Sequence, residues 1–101
     1  MGNEKMIYPD LKGKTVLVTG ANKGIGKAIA ESFIENQCKV IALFRTTKPK
    51  FDKLILKTSI EIEYLHLDIQ NINKMKSWLN KFDRLGKSID ILINNAGVNI
   101  Q

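Results

Sequence analysis

Apolar residues along this chain fall into two kinds of run: short, mostly uncharged stretches of strand length, and longer stretches in which they recur at steps of three and four. The stretch "KTVLV", 14–18, is valine-rich and uncharged after Lys14, as in a strand buried on both faces of a parallel sheet. From Ile25 to about Gln37, the residues Ile25, Ala28, Ile29, Phe33 and Ile34, with Ala30 beside them, form one apolar helix face; Glu31 and Glu35 fall on the other side. "CKVIALF", 38–44, predicts a second strand, and the basic connection "RTTKPKFDK", broken by Pro49, leads to a short helix over 52–57. In "IEIEYLHLD", 60–68, strict alternation predicts a third strand, with Ile60, Ile62, Tyr64 and His66 on one face and Glu61, Glu63, Leu65 and Leu67 on the other. Asn71 is placed to cap a helix whose stripe is Ile72, Met75, Leu79 and Phe82, with Trp78 next to it, and Gly86 fits its stop. "IDILIN", 89–94, is a fourth strand.

The resulting order, βαβαβαβ, calls for right-handed crossovers and a mostly parallel sheet. No repeat, low-complexity segment or linker divides the chain, so residues 1–101 are expected to form one domain. A chain of this length buries roughly 60–68% of its unfolded surface, enough for one core.

Composition changes this picture little. With 44% hydrophobic and 26% charged residues, the chain has the make-up of an ordinary globular protein. No apolar run approaches the ~20 residues that cross a bilayer, and "MGNEKMIYPD" lacks the apolar stretch of a secretory signal. Met6 stands where a myristoylation pattern wants Ser or Thr. A cytoplasmic protein without membrane partners is expected. Cys38 is the single cysteine, which excludes an internal disulfide and suggests a packing role at the head of its strand. The net charge of +6 raises attraction for polyanions, including nucleic acid and phosphorylated cofactors. The lysines are scattered, however, apart from Lys48, Lys50, Lys53 and Lys57, which reads as a solvated surface rather than a nucleic-acid interface.

Sharper chemistry lies in "TGANKGIG", 19–26, which sets three glycines between the first strand and the first helix. A strand-to-helix turn of this kind is where a dinucleotide pyrophosphate sits, on free N–H groups at the positive end of the helix. Gly20 allows the chain to turn off the strand, Gly24 lets backbone approach the phosphates, and Gly26 lets the helix pack closely on the strand. The spacing is G-x-x-x-G-x-G, and a tight turn that binds nothing would also use glycine.

Taken together, "TGANKGIG" and "NNAG", 94–97, each at the end of its strand, resemble the short-chain dehydrogenase/reductase family over nearly the whole chain, from about Lys12 to Gly97. Within it the wording is similar to carbonyl reductases and 3-oxoacyl-acyl-carrier-protein reductases. The resemblance implies a Rossmann-like α/β fold, a parallel sheet of four strands in order 3-2-1-4, as the truncated half of a doubly wound domain. It further implies that Gly20, Asn22, Lys23, Gly24, Ile25 and Gly26 line the cofactor diphosphate and ribose. Asp68 with Ile69 would meet the adenine ring, although Asp68 equally suits a helix cap or turn. Asn95 would contact a ribose, followed by Ala96 and Gly97, whereas Asn94 would tie the neighbouring strand.

The choice of nicotinamide cofactor should be made at the end of the second strand, where an acidic residue would bind a ribose 2′-hydroxyl. That position holds Phe44, and the next residue is Arg45. An arginine grips a 2′-phosphate through a charge-assisted fork worth about 1.5–3 kcal/mol, roughly ten- to a hundredfold in preference. Lys23 resembles the basic residue that phosphate-preferring members carry in the glycine turn, and Thr46 adds a hydroxyl. NADP(H) is therefore expected over NAD(H), the alternative being that Arg45 is a solvated loop residue.

The family resemblance also implies a reaction: hydride transfer between NADPH and a small-molecule carbonyl or alcohol, with a serine, an asparagine and a Tyr-x-x-x-Lys pair beyond the "NNAG" strand. Tyr8 and Lys12 match that spacing but precede the first strand, at the wrong end of the sheet. His66, read as mid-strand and either packed or at an edge, is no substitute base. The 101 residues are accordingly expected to be a fragment, inactive alone, with the fourth strand as an exposed apolar edge. Two other readings stay open: a non-catalytic module that binds a dinucleotide or packs on a partner, and, more distantly, a basic nucleic-acid binder. A homo-oligomer of the longer protein is also open.

Overall fold

The computed structural model describes residues 9–95; Tyr8, Ala96 and Gly97 of the expectations above lie outside that range. After a 3-10 turn at Pro9–Leu11, the elements are β1 (Thr15–Thr19), α1 (Gly24–Glu35), β2 (Lys39–Phe44), α2 (Asp52–Thr58), β3 (Ile62–His66), α3 (Ile72–Arg84) and β4 (Ile91–Ile93). The strands form one parallel sheet in order β3-β2-β1-β4, as expected for the Rossmann-like arrangement. In register, Val16 faces Val40 and Ile91, and Ala42 faces Tyr64.

Period-two alternation divides the buried residues between two layers. Val16, Val18, Val40 and Ala42 point to the α1–α2 side, where they meet Ala30, Ile34 and Phe51. Leu17, Ile41 and Leu43 point to the other side, against Phe82 of α3 with Met75 and Trp78 packed beside it. β1 and β2 are thus covered on both faces, which is why their sequences are apolar runs without alternation.

Two helix faces differ from the periodicity reading. The residues that α1 buries are Gly26, Ala30 and Ile34, one every four positions, while Ile25 is 64% exposed and Ala28 also faces solvent. The close approach at Gly26 sets the rotation of the helix, and a residue four further on must follow. In α3 the inward residues are Met75, Trp78 and Phe82, with Trp78 stacked on Phe82 at 4.8 Å, whereas Ile72 and Leu79 point outward. Two large rings cover more of the sheet than Ile72 and Leu79 could, and this pulls the helix face round.

The caps follow the sequence. Asn71 Oδ1 accepts from Lys74 N–H at 3.1 Å. Gly86, at φ +75°, ends α3 with Gly86 N–H donating to the Asp83 carbonyl and Lys87 N–H to the Phe82 carbonyl, a Schellman closure. Cys38 is fully buried beside β2, its Sγ 3.2 Å from the Leu11 carbonyl oxygen, and burial pushes its thiol pKa up. Among the described residues no helix is long and apolar enough to cross a membrane.

Candidate functional site

Four segments meet at the carboxyl edge of the sheet, one following each strand: the glycine turn after β1, Arg45 and Thr46 after β2, Asp68 and Ile69 after β3, and Asn94 and Asn95 after β4. This edge is where open parallel sheets bind their ligands.

In the glycine turn, the three glycines answer two different demands. Gly20 takes φ +63° and Gly24 φ +58°, left-handed values that cost other residues strain. At Gly24 a Cβ would meet open space, so its need is conformational. Gly26 lies outside the left-handed region, and its need is steric: a Cβ there would overlap the Gly20 carbonyl oxygen and come within 2.5 Å of Asn95 Nδ2. Between them, Ala21 is buried with its N–H donating to the Leu43 carbonyl at 3.2 Å, which ties the turn to β2. Asn22 is half-buried and Lys23 is exposed.

Lys23 is the N-cap of α1, in extended backbone at φ −162° and ψ 168°, and makes no side-chain capping bond; the first turn holds no acidic residue. The amides of Gly24, Ile25 and Gly26 therefore start the helix without a carboxylate or hydroxyl from the cap, with the positive helix end and an ammonium beside them. Such a turn fits a phosphate group.

Thr19 closes the turn from beneath, and the sequence reading missed it. Fully buried at the end of β1, its Oγ1 accepts from Asn95 N–H at 2.8 Å and lies 3.4 Å from the Ile93 carbonyl and 3.3 Å from Asn94 Oδ1. Asn95 Nδ2 donates to the Gly20 carbonyl at 3.3 Å. Both asparagines thus face β1, and Asn95 shapes the glycine turn directly. A hydroxyl ending an apolar run just before glycine was the available signal. At the other end of β4, Asp90 Oδ2 accepts from Thr15 N–H at 2.8 Å and Asp90 N–H donates to the Thr15 carbonyl at 2.9 Å.

Arg45 and Thr46 are exposed at the end of β2. His66 is the last residue of β3, not its middle, because pairing stops there; it is exposed, stacked on Phe44, with Nε2 2.8 Å from the Arg45 carbonyl. Asp68 Oδ1 accepts from Gln70 N–H at 3.0 Å, and the Asp68 carbonyl accepts from Asn71 N–H at 2.9 Å, so Asp68 builds the turn into α3. Ile69 beside it is half-buried. A groove of about 390 Å³ lined by Thr15, Lys39, Glu61 and Asp90 sits at the opposite, amino edge, away from these segments.

A family model described as short chain dehydrogenase matches residues 14–101. The chain belongs to the short-chain dehydrogenase family. Among curated members, it is 32% identical over 97 residues to a dehydrogenase/reductase SDR family protein 7-like of Drosophila melanogaster, covering 90% of this chain and 30% of that one. Among solved structures, the ligand-free aldohexose dehydrogenase of Thermoplasma acidophilum superposes with a TM-score of 0.72 at 36% identity, over 92% of this chain and 33% of that one. The L-sorbose reductase of Gluconobacter frateurii, solved with NADPH and L-sorbose, superposes with a TM-score of 0.70 at 25% identity, over 88% and 35%. This chain thus spans about a third of the length of these relatives.

Proposed function

We propose that residues 1–101 form one partial dinucleotide-binding domain of a cytoplasmic, NADP(H)-dependent short-chain oxidoreductase acting on a small-molecule carbonyl or alcohol. The observation that carries this reading is the start of α1, where Lys23 makes no side-chain capping bond and the first turn holds no acidic residue, so that the amides of Gly24, Ile25 and Gly26 suit an anion.

In this reading the amides of Gly24, Ile25 and Gly26 bind the diphosphate, with Gly20 and Asn22 lining the turn and Lys23 adding charge. Arg45 and Thr46 hold a 2′-phosphate; Asp68 and Ile69 flank the adenine; Asn95, Ala96 and Gly97 border a ribose. When bound, the nicotinamide ring gives or takes the hydride. Fixing the diphosphate and the adenosine at two separate places on one edge of the sheet would leave a bound dinucleotide little freedom to reorient. Proton transfer to the substrate oxygen calls for groups that the resemblance puts beyond Gly97. The NADPH bound in the Gluconobacter enzyme supports the cofactor class.

Titration of the chain with NADPH and with NADH, followed by nicotinamide fluorescence, tests the reading. Tighter NADPH binding that disappears in Gly26→Ala is expected; binding of neither dinucleotide would remove it. A second reading, a module that packs on a partner without catalysis, is favoured by Leu92, which is 60% exposed on the edge strand β4. The same titration separates the two: the first reading requires NADPH binding, and a module that only packs on a partner binds neither dinucleotide.

A further inference from the structure

We infer that His66 is a positioning residue for the 2′-phosphate site: it fixes the bend that carries Arg45, and thereby sets the preference for a 2′-phosphorylated adenosine without touching it. The inference rests on the reading of Arg45 given above and adds a residue to it.

Three contacts converge on this bend. His66 stands opposite Phe44 in the β2–β3 register. Their rings stack with centroids 5.0 Å apart and an interplanar angle of 8°. His66 Nε2 lies 2.8 Å from the carbonyl oxygen of Arg45. Because a carbonyl only accepts, Nε2 must carry the hydrogen, which selects that ring state. The next residue reinforces the arrangement, Leu67 N–H donating to the Phe44 carbonyl at 3.0 Å. Two successive carbonyls, of Phe44 at the end of β2 and of Arg45 just past it, are therefore held from the end of β3, one by the main chain of Leu67 and one by the imidazole of His66.

Past that point the chain bends through exposed Arg45, Thr46 and Thr47. A guanidinium on an exposed stem binds a phosphate well only when the stem is already in place, since ordering it on binding subtracts from affinity. Among the described residues β3 has no neighbour on its far side in the sheet, and the imidazole extends its hold one residue beyond the β2–β3 ladder, to the site residue itself.

The test separates the ring from the donor. His66→Phe keeps a stacking ring and loses the N–H; His66→Gln keeps a donor at similar reach and loses the ring. Adenosine 2′,5′-bisphosphate and adenosine 5′-monophosphate are titrated into the full chain by calorimetry. His66→Phe should weaken the bisphosphate about threefold to tenfold and leave the monophosphate within about twofold, and His66→Gln should restore most of the loss. Backbone amide exchange at Arg45 and Thr46 should quicken in His66→Phe without ligand. Each dissociation constant is read on folded molecules only, so a loss of stability does not mimic the change in ratio. Equal weakening of both nucleotides, or none, overturns the inference. Arg45→Ala tells the failures apart: if it collapses the ratio and His66→Phe does not, only the positioning role falls; if Arg45→Ala leaves the ratio unchanged, the cofactor choice falls and this role with it.

Discussion

The glycine turn after β1 and the bend after β2 are neighbours at the same edge of one sheet, and they are held in opposite ways. The turn is made of main chain pressed together: Gly26 lies against the Gly20 carbonyl, Asn95 bonds to that same carbonyl, and buried Thr19 fixes Asn95 from below. The bend presents Arg45 and Thr46 to solvent and is restrained at its root by one imidazole. A diphosphate offers the same shape in every dinucleotide, so rigid amides suit it. The group on the ribose varies between cofactors, and an exposed side chain can change there without disturbing the core. Packing constrains the first region and ligand chemistry the second.

The hardest test of this contrast is Gly26→Ala. The added methyl has no space against backbone, and we expect a loss of about 3 kcal/mol or more in urea unfolding, together with loss of dinucleotide binding. A neutral result would show that the turn is as forgiving as the bend. Next comes Arg45→Asp, which should lower the NADPH-to-NADH binding ratio about ten- to a hundredfold, about 1.5–3 kcal/mol, while stability stays within about 0.5 kcal/mol. Loss of stability here would mean that the bend carries structure after all.

Thr19→Val keeps the shape and deletes the hydroxyl that accepts from Asn95 N–H; leaving that partly buried donor without its partner should cost about 1–2 kcal/mol by thermal unfolding. Finally, Lys23→Ser should pull stability and binding apart. A serine at an uncapped N-cap in extended backbone should stabilise α1 by about 0.5–1 kcal/mol, while occupying the amides proposed for phosphate and removing a cation, so that affinity for NADPH falls. Should both properties rise together, the turn is not an anion site.

The fold was legible because the patterns that dictate it are local. Uncharged runs such as "TVLV" and "VIALF" marked the first two strands, alternation in "IEIEYLH" marked the third, and Asn71 and Gly86 bracketed α3 as their cap chemistry requires. Helix rotation was less legible. Ile25 and Ile72 belong to the apolar stripes by periodicity, yet both face outward, because the rotation of α1 is set by a contact between Gly26 and a residue of the preceding turn, and that of α3 by where two aromatic rings fit. In the candidate site, glycines and asparagines stood out by residue type, while Thr19 and His66 did not: their partners lie 76 and 21 positions away, a distance no local pattern spans. Asp68 fell between, since a turn and an adenine contact ask for the same side chain.

The pairing of β1 with β4 has a consequence for assembly. β1 is synthesised before β2, β3 and β4, and on one side it waits for a partner some 75 residues later, clamped at one end by Asp90 and at the other by Thr19 with the two asparagines. Closing so long a loop is entropically slow, so we expect the shorter βαβ crossovers that join β1, β2 and β3 to form before it. The anion cradle, braced by Asn95, is consequently completed only when this late strand docks, and a nascent chain that stalls before it carries the glycine motif without the geometry that gives the motif its use.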